Sequence, residues 1–125
     1  MYQVIIVDDE PRILEGIIHL FPWNNFGFEV VASFTNGKEA LEYINAHPQV
    51  DIVMTDIQMP VMDGLQTARA IRASTHTDGP GIPIIAASTK TLPEDIAAAR
   101  NAGINEYLSK PLHPKALYRI MKNYL

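Results

Sequence analysis

Cysteine is absent from the 125-residue sequence. Its absence excludes disulfide scaffolds, thiolate zinc sites and cysteine nucleophiles. It also favours a reducing compartment, so we expect the protein to be cytoplasmic. The 4 histidines are scattered without the spacing of metal ligands, and neither standard pattern of a glycine-rich phosphate-binding loop occurs. We therefore expect neither an imidazole-based metal site nor a nucleotide site.

Long apolar runs and an excess of basic residues are also missing. The longest apolar run near the start covers residues 4–7, whereas a membrane span needs about 20 apolar residues. Acidic residues 8–10 follow that run directly, a pattern that argues against a signal peptide. The 14 acidic and 10 basic residues give a formal net charge of −4, whereas nucleic-acid binding needs a basic face. We expect one domain over residues 1–125 that binds neither a membrane nor nucleic acid.

Strand-like and helix-like segments alternate five times along the chain. Apolar, β-branched and aromatic residues predict strands over residues 3–7, 28–34, 51–55, 83–87 and 104–108. The spacing of apolar residues and the capping residues predict five helices, of which the fourth covers residues 93–102. The helices begin at Pro11, after Asn36, after Asp63, at Pro93 and at Pro114. The polar, glycine-rich residues 75–81 predict a loop.

This order of elements predicts an α/β fold. Five βα units in sequence form one parallel sheet with helices on both faces, which is a doubly wound arrangement. The fourth strand has no polar alternation, as is typical of a strand covered on both faces. The fifth strand is more polar, and we expect it at an edge of the sheet.

Polar side chains stand where four of the predicted strands end. Asp8 and Asp9 follow the first strand, Asp56 follows the third, Ser88 and its neighbour follow the fourth, and Lys110 follows the fifth. Ligands of open α/β sheets bind outside the carboxyl ends of the strands. We therefore expect three carboxylates, a hydroxyl and an ammonium to converge at one edge.

Such a group of side chains suits phosphoryl transfer. Crowded carboxylates repel one another unless a cation is present, and a small divalent ion such as Mg²⁺ prefers oxygen ligands. Lys110 and Ser88 can then donate to an anionic group beside the metal. The nucleophile we expect is a carboxylate, which forms an aspartyl phosphate.

Each of these residues also has an ordinary structural explanation. Asp8 and Asp9 before a proline are compatible with a polar turn and a helix cap. Asp56 is compatible with a loop acid, Ser88 with a strand end and Lys110 with a turn. Because four separate segments place them at one edge, their joint occurrence favours a functional site.

Several stretches together resemble the receiver domains of response regulators. They are residues 7–11 (VDDEP), 55–64 (TDIQMPVMDG), 83–88 (PIIAAS) and 107–111 (YLSKP). The resemblance covers essentially the whole chain, in order and at the spacing of the family. It implies a flavodoxin-like fold with five parallel strands in the order 2-1-3-4-5. It also implies a signalling module of two-component phosphorelays rather than a metabolic enzyme.

The resemblance assigns roles to residues of the predicted site. It implies that Asp56 accepts a phosphoryl group from a sensor histidine kinase or a phosphotransfer protein. Asp8, Asp9 and Asp56 would bind Mg²⁺ (or Mn²⁺) together with the backbone carbonyl of Gln58. Lys110 would pair with the phosphoryl oxygens.

The same resemblance implies a conformational switch. Ser88 would move toward the phosphoryl group and Tyr107 would follow it inward. The bond between Lys110 and Pro111 would be a cis peptide. Whether a homodimer forms through the fourth helix, the fifth strand and the fifth helix stays open.

Three residues beside the phosphoacceptor are expected to tune its rates, namely Gln58, Thr89 and Lys90. Thr89 stands where the family usually has a small residue. Its methyl group would crowd the phosphoryl pocket, or alternatively Thr89 would point away from the pocket and change no rate. The first half of the chain resembles receivers attached to AraC-type DNA-binding regulators, whereas the second resembles receivers fused to hybrid kinases. The output domain therefore stays open.

Other classes fit the sequence less well. A haloacid-dehalogenase phosphatase needs a second acid two residues after its nucleophile, where this chain has Gln58. A flavin-binding protein on a similar sheet needs a hydroxyl-rich loop after the first strand, where this chain has acids. A pseudo-receiver that only mediates contacts usually lacks an acid or the lysine, and here Asp9, Asp56 and Lys110 are all present.

Overall fold

The computed structural model describes residues 1–47, 49–57, 62–73, 81–90, 92–110 and 112–124. Within these ranges the parallel strands are β1 (Tyr2–Val7), β2 (Phe28–Phe34), β3 (Ile52–Asp56), β4 (Ile84–Ser88) and β5 (Glu106–Ser109). The helices are α1 (Pro11–Leu20), α2 (Gly37–Ala46), α3 (Gly64–Arg72), α4 (Pro93–Asn101) and α5 (Pro114–Asn123), with one 3₁₀ turn at Trp23–Phe26. None of the described helices has the length and apolar character that a bilayer crossing requires.

The sheet has the order β2-β1-β3-β4-β5, which confirms the predicted fold class and strand order. Alternate residues of each strand face opposite layers. One layer contains side chains of α2, α3 and α4 packed on Ile5, Val53 and Ile84. The other contains side chains of α1 and α5 packed on Ile6 and Met54. Full burial of each such side chain contributes about 1.5–3 kcal/mol.

The boundaries of several elements differ from their predicted positions. β3 and β4 each begin and end one residue later than predicted, so Asp56 and Ser88 are the last residues of their strands. α4 ends at Asn101, with Ala102 as its cap. The predicted loop over residues 75–81 lies outside the described residues, apart from its last residue.

The fifth strand begins two residues later than predicted because Ile104 belongs to the end of α4. Gly103 has a φ of 96°, and its N–H donates to the carbonyl of Arg100. The N–H of Ile104 donates to the carbonyl of Ala99, which completes a Schellman motif. The side chain of Ile104 is buried as the apolar contact of that motif. The predicted edge position of β5 is confirmed.

Arg72 at the end of α3 connects three segments at the amino-terminal edge of the sheet. Its guanidinium donates to the carbonyl of Gly103 at 2.6 Å, to the carbonyl of Ile82 at 2.6 Å and to Oδ1 of Asn105 at 2.7 Å. Oδ1 of Asn105 also accepts the N–H of Ile84 at 2.8 Å. This network joins α3 to the starts of β4 and β5.

The substitution Arg72→Met should lower the free energy of unfolding by about 2–3 kcal/mol, since it leaves partly buried acceptors without a donor. Urea denaturation followed by circular dichroism measures the change. Arg69→Met is the matched control, because Arg69 is exposed on the same helix. Equal losses in the two variants would show that the Arg72 network does not support the fold.

Candidate functional site

The predicted site residues converge at the carboxyl edge of the sheet. β1 pairs with β3 so that Val7 lies opposite Thr55. Asp8 is the next residue after Val7, and Asp56 is the next residue after Thr55. β3 pairs with β4 so that Asp56 lies opposite Ala87, one residue before Ser88. Parallel pairing therefore places these side chains together although they are far apart in sequence.

Asp8, Asp9 and Asp56 form a compact carboxylate cluster. One oxygen from each side chain lies within 4.8 Å of the others. Asp8 is 2% exposed and Asp56 is 8% exposed, so their charges are largely removed from water. Oδ1 of Asp8 accepts the N–H of Glu10 at 3.0 Å. Three clustered carboxylate oxygens are a donor set that fits Mg²⁺ or Mn²⁺.

Lys110 is the basic partner of this cluster. Its Nζ lies 2.9 Å from Oδ2 of Asp8 and 3.4 Å from Oδ2 of Asp56. Its backbone N–H donates to the carbonyl of Ser88 at 3.0 Å, which fixes Lys110 beside the end of β4. Burial acts to lower the pKa of Lys110, but the hydrogen bond and charge of Asp8 and the charge of Asp56 outweigh it. The pKa of Lys110 is therefore raised above its ordinary value.

Ser88 and Tyr107 are linked through the backbone of Lys90. Ser88 is buried, and its Oγ accepts the N–H of Lys90 at 3.1 Å. The hydroxyl of the half-buried Tyr107 donates to the carbonyl of Lys90. The two predicted switch residues therefore contact the same short segment after β4.

Thr89 lies beside the site, on the side where α1 and α5 approach each other. Thr89 is exposed and lines a cavity of about 420 Å³ together with Lys110 and apolar residues of both helices. Gln58, and Pro111 with its predicted cis bond, lie outside the described residues.

Thr55 is a residue near the site for which the sequence predicted no role. It is a buried threonine in a strand that is otherwise apolar up to Asp56. A hydroxyl directly before the expected phosphoacceptor was the available signal. The described histidines lie apart from the carboxylate cluster, and His47 stacks on Tyr43.

Comparison with known proteins gives a consistent result. Residues 4–122 match a family described as the response regulator receiver domain. The chain is 33% identical over 117 residues to the uncharacterized transcriptional regulatory protein YesN of Bacillus subtilis. The aligned region covers 94% of this chain and 30% of YesN. The chain spans less than half the length of the first curated relatives it matches.

Solved structures show the same similarity. Chemotaxis protein CheY4 of Vibrio cholerae superposes with a TM-score of 0.87 at 29% identity, over 100% of this chain and 99% of CheY4. The receiver domain of sensor histidine kinase PA1611 of Pseudomonas aeruginosa superposes with a TM-score of 0.82 at 27% identity, over 98% and 96% of the two chains. That receiver was solved with a magnesium ion coordinated in its active-site cleft.

The raised pKa of Lys110 predicts how its contribution to stability depends on pH. A group whose pKa is raised in the folded state stabilises fully below its unfolded pKa, about 10.4, and loses that effect as pH rises through the folded value. NMR titration of the ε-methylene carbon should give a midpoint above that of a free lysine. Asp8→Asn should lower the midpoint more than Asp9→Asn, which removes a neighbouring charge but no hydrogen bond to Lys110. Equal effects of both variants would contradict this.

Proposed function

The chain belongs to the response regulator receiver domains, which are signalling domains of two-component systems, and on this premise we propose that it is a phosphorylation-dependent switch whose phosphoacceptor is Asp56. The observation that carries the proposal is the cluster of Asp8, Asp9 and Asp56 with the Lys110 ammonium 3.4 Å from Asp56. Acidic ligands, a nucleophilic carboxylate and a basic partner in one cleft are the components that phosphoryl transfer requires.

In the proposed transfer, a carboxylate oxygen of Asp56 attacks the phosphorus of a phosphohistidine on the donor protein. The bond from phosphorus to oxygen forms as the bond from phosphorus to the histidine nitrogen breaks, and the imidazole leaves with the electrons of that bond. Attack by water on the aspartyl phosphate later returns the carboxylate and inorganic phosphate. The chain thus assists its own phosphorylation and dephosphorylation and acts on no other substrate.

The basic and acidic side chains of the site have different proposed roles, in phosphoryl pairing and in metal binding. Lys110 pairs with Asp8 and Asp56 in the resting state and is positioned to pair with phosphoryl oxygens once Asp56 is modified. Asp8, Asp9 and Asp56, with the carbonyl of Gln58, would hold Mg²⁺ (or Mn²⁺). When bound, the ion supplies positive charge that neutralises the phosphoryl oxygens.

The proposed switch involves the segment after β4. The hydroxyl of Ser88 would turn toward the phosphoryl group, which releases the N–H of Lys90 from its present hydrogen bond. Because Tyr107 donates to the carbonyl of Lys90, a movement of that segment changes the environment of Tyr107 on β5.

The partners we propose are a sensor histidine kinase or a phosphotransfer protein as donor, and a second copy of the chain that associates through α4, β5 and α5. The domain over residues 1–125 would act in the cytoplasm, without membrane or nucleic-acid contacts of its own.

Incubation with Mg²⁺ and acetyl phosphate should add one phosphoryl group to the wild-type protein, seen by intact mass spectrometry. Asp56→Asn should abolish the adduct, because the amide is not a nucleophile for phosphorus. Asp9→Asn should require about tenfold or more Mg²⁺, since it removes a charged ligand.

Asp51→Asn is the matched control for these variants. Asp51 directly precedes β3, at the end of the strand far from Asp56. Its carboxylate accepts the N–H of Gln3, and the amide oxygen of asparagine can accept the same hydrogen bond. Asp51→Asn should be phosphorylated like the wild type. An adduct that persists in Asp56→Asn would exclude Asp56 as the phosphoacceptor.

Thr89→Ala should accelerate both phosphorylation by acetyl phosphate and autodephosphorylation, with Mg²⁺ affinity unchanged. The methyl group of Thr89 would crowd the approach of small donors and of water, and misplacement by about 1 Å costs on the order of 100-fold in rate. Stopped-flow and phosphate-release measurements give the two rates. Rates within about twofold of the wild type, a barrier change below roughly 0.5 kcal/mol, would rule out steric gating by Thr89.

A further inference from the structure

The backbone carbonyl of Asp56 accepts a hydrogen bond from the side chain of the residue before it, Thr55. β1 pairs with β3 as far as Thr55, and β4 pairs with β3 as far as Asp56, so this carbonyl stands where the ladder ends. The hydroxyl of Thr55 donates to it at 2.9 Å. Thr55 is only 1% exposed, so its hydroxyl has no competition from bulk water.

Helix α3 begins directly against the same peptide. The N–H of Gly64 donates to the carbonyl of Ile57 at 2.9 Å. A Cβ at Gly64 would stand 2.3 Å from the carbonyl oxygen of Asp56 and 2.9 Å from Cα of Ile57, so only glycine fits there. The start of α3 therefore covers the Asp56 carbonyl. Covered carbonyls need a hydrogen-bond donor, and Thr55 supplies one.

We propose that Thr55 is a positioning residue for the phosphoacceptor, an assignment that rests on the proposed role of Asp56. Its hydroxyl holds the peptide between Asp56 and Ile57 and thereby fixes the ψ angle of Asp56. The allowed side-chain rotamers depend on φ and ψ, so a fixed ψ limits the rotamers of Asp56, whose carboxylate lies 3.4 Å from the Lys110 ammonium.

Thr67 provides a matched comparison. It is also fully buried, and its hydroxyl donates to a backbone carbonyl, that of Asp63, at 2.7 Å. That carbonyl also accepts the N–H of Thr67 at 2.9 Å, so it keeps a partner when the hydroxyl is removed. Thr67→Val thus deletes an equally buried hydroxyl whose acceptor does not belong to the carboxylate cluster.

The test compares Thr55→Val, Thr55→Ser and Thr67→Val. The maximal rate of phosphorylation at saturating Mg²⁺ and acetyl phosphate should fall about tenfold in Thr55→Val, which corresponds to about 1.4 kcal/mol in the barrier. It should stay within about twofold of the wild type in the other two. The KM for acetyl phosphate should change little, since the effect is on orientation rather than on donor binding.

A second measurement is independent of phosphorylation. Amide hydrogen exchange at Ile57 and Gly64 should be faster in Thr55→Val and unchanged in Thr67→Val. Should Thr55→Val fail to fold, Thr55→Ala measured against Thr55→Ser isolates the same hydroxyl.

The possible failures are distinguishable. A wild-type protein that is not phosphorylated would overturn the proposed function, and the exchange rates at Ile57 and Gly64 would then test the hydrogen bond of Thr55 by themselves. A phosphorylated wild type with equal rates in Thr55→Val and Thr67→Val would overturn the role of Thr55 alone.

Discussion

The parallel pairing of β1 with β3 is the constraint on which the site depends. Because Val7 lies opposite Thr55, the residues at the ends of these two strands, Asp8 and Asp56, are held side by side. Their carboxylates repel each other, and burial strengthens that repulsion. The sheet maintains the arrangement because both faces of β1 and β3 are buried under helices, and a shift of register by one residue would move every side chain of a strand into the opposite layer and disrupt the packing of both.

Lys110 offsets this repulsion and connects it to the rest of the domain. Its ammonium lies between Asp8 and Asp56, and its backbone N–H is bonded to the carbonyl of Ser88. A change of charge on Asp56 therefore acts directly on the loop that follows β5 and on the end of β4. Contacts of Lys110 with Ser88, and of Ser88 and Tyr107 with Lys90, thus connect the carboxylates to the Tyr107 region.

Different contacts hold the two edges of the sheet. At the amino-terminal edge, Arg72 joins α3 to the starts of β4 and β5 through several charge-assisted hydrogen bonds. At the carboxyl edge, Lys110 joins the end of β4 to Asp8 and Asp56, and Ser88 and Tyr107 both bond to the backbone of Lys90.

Local patterns in the sequence determined the elements, the caps and the identity of the acids at the strand ends. The capping box of Asp63 and Gln66 needs only neighbours three residues apart, and it is present as the sequence indicated. Tertiary structure alone decided which carboxylate lies nearer to Lys110, because Asp8 and Lys110 are 102 positions apart and meet only through the order of the strands. It also decided that the start of α3 covers the carbonyl of Asp56. These features depend on how elements distant in sequence cover one another, and no local pattern of residues encodes that.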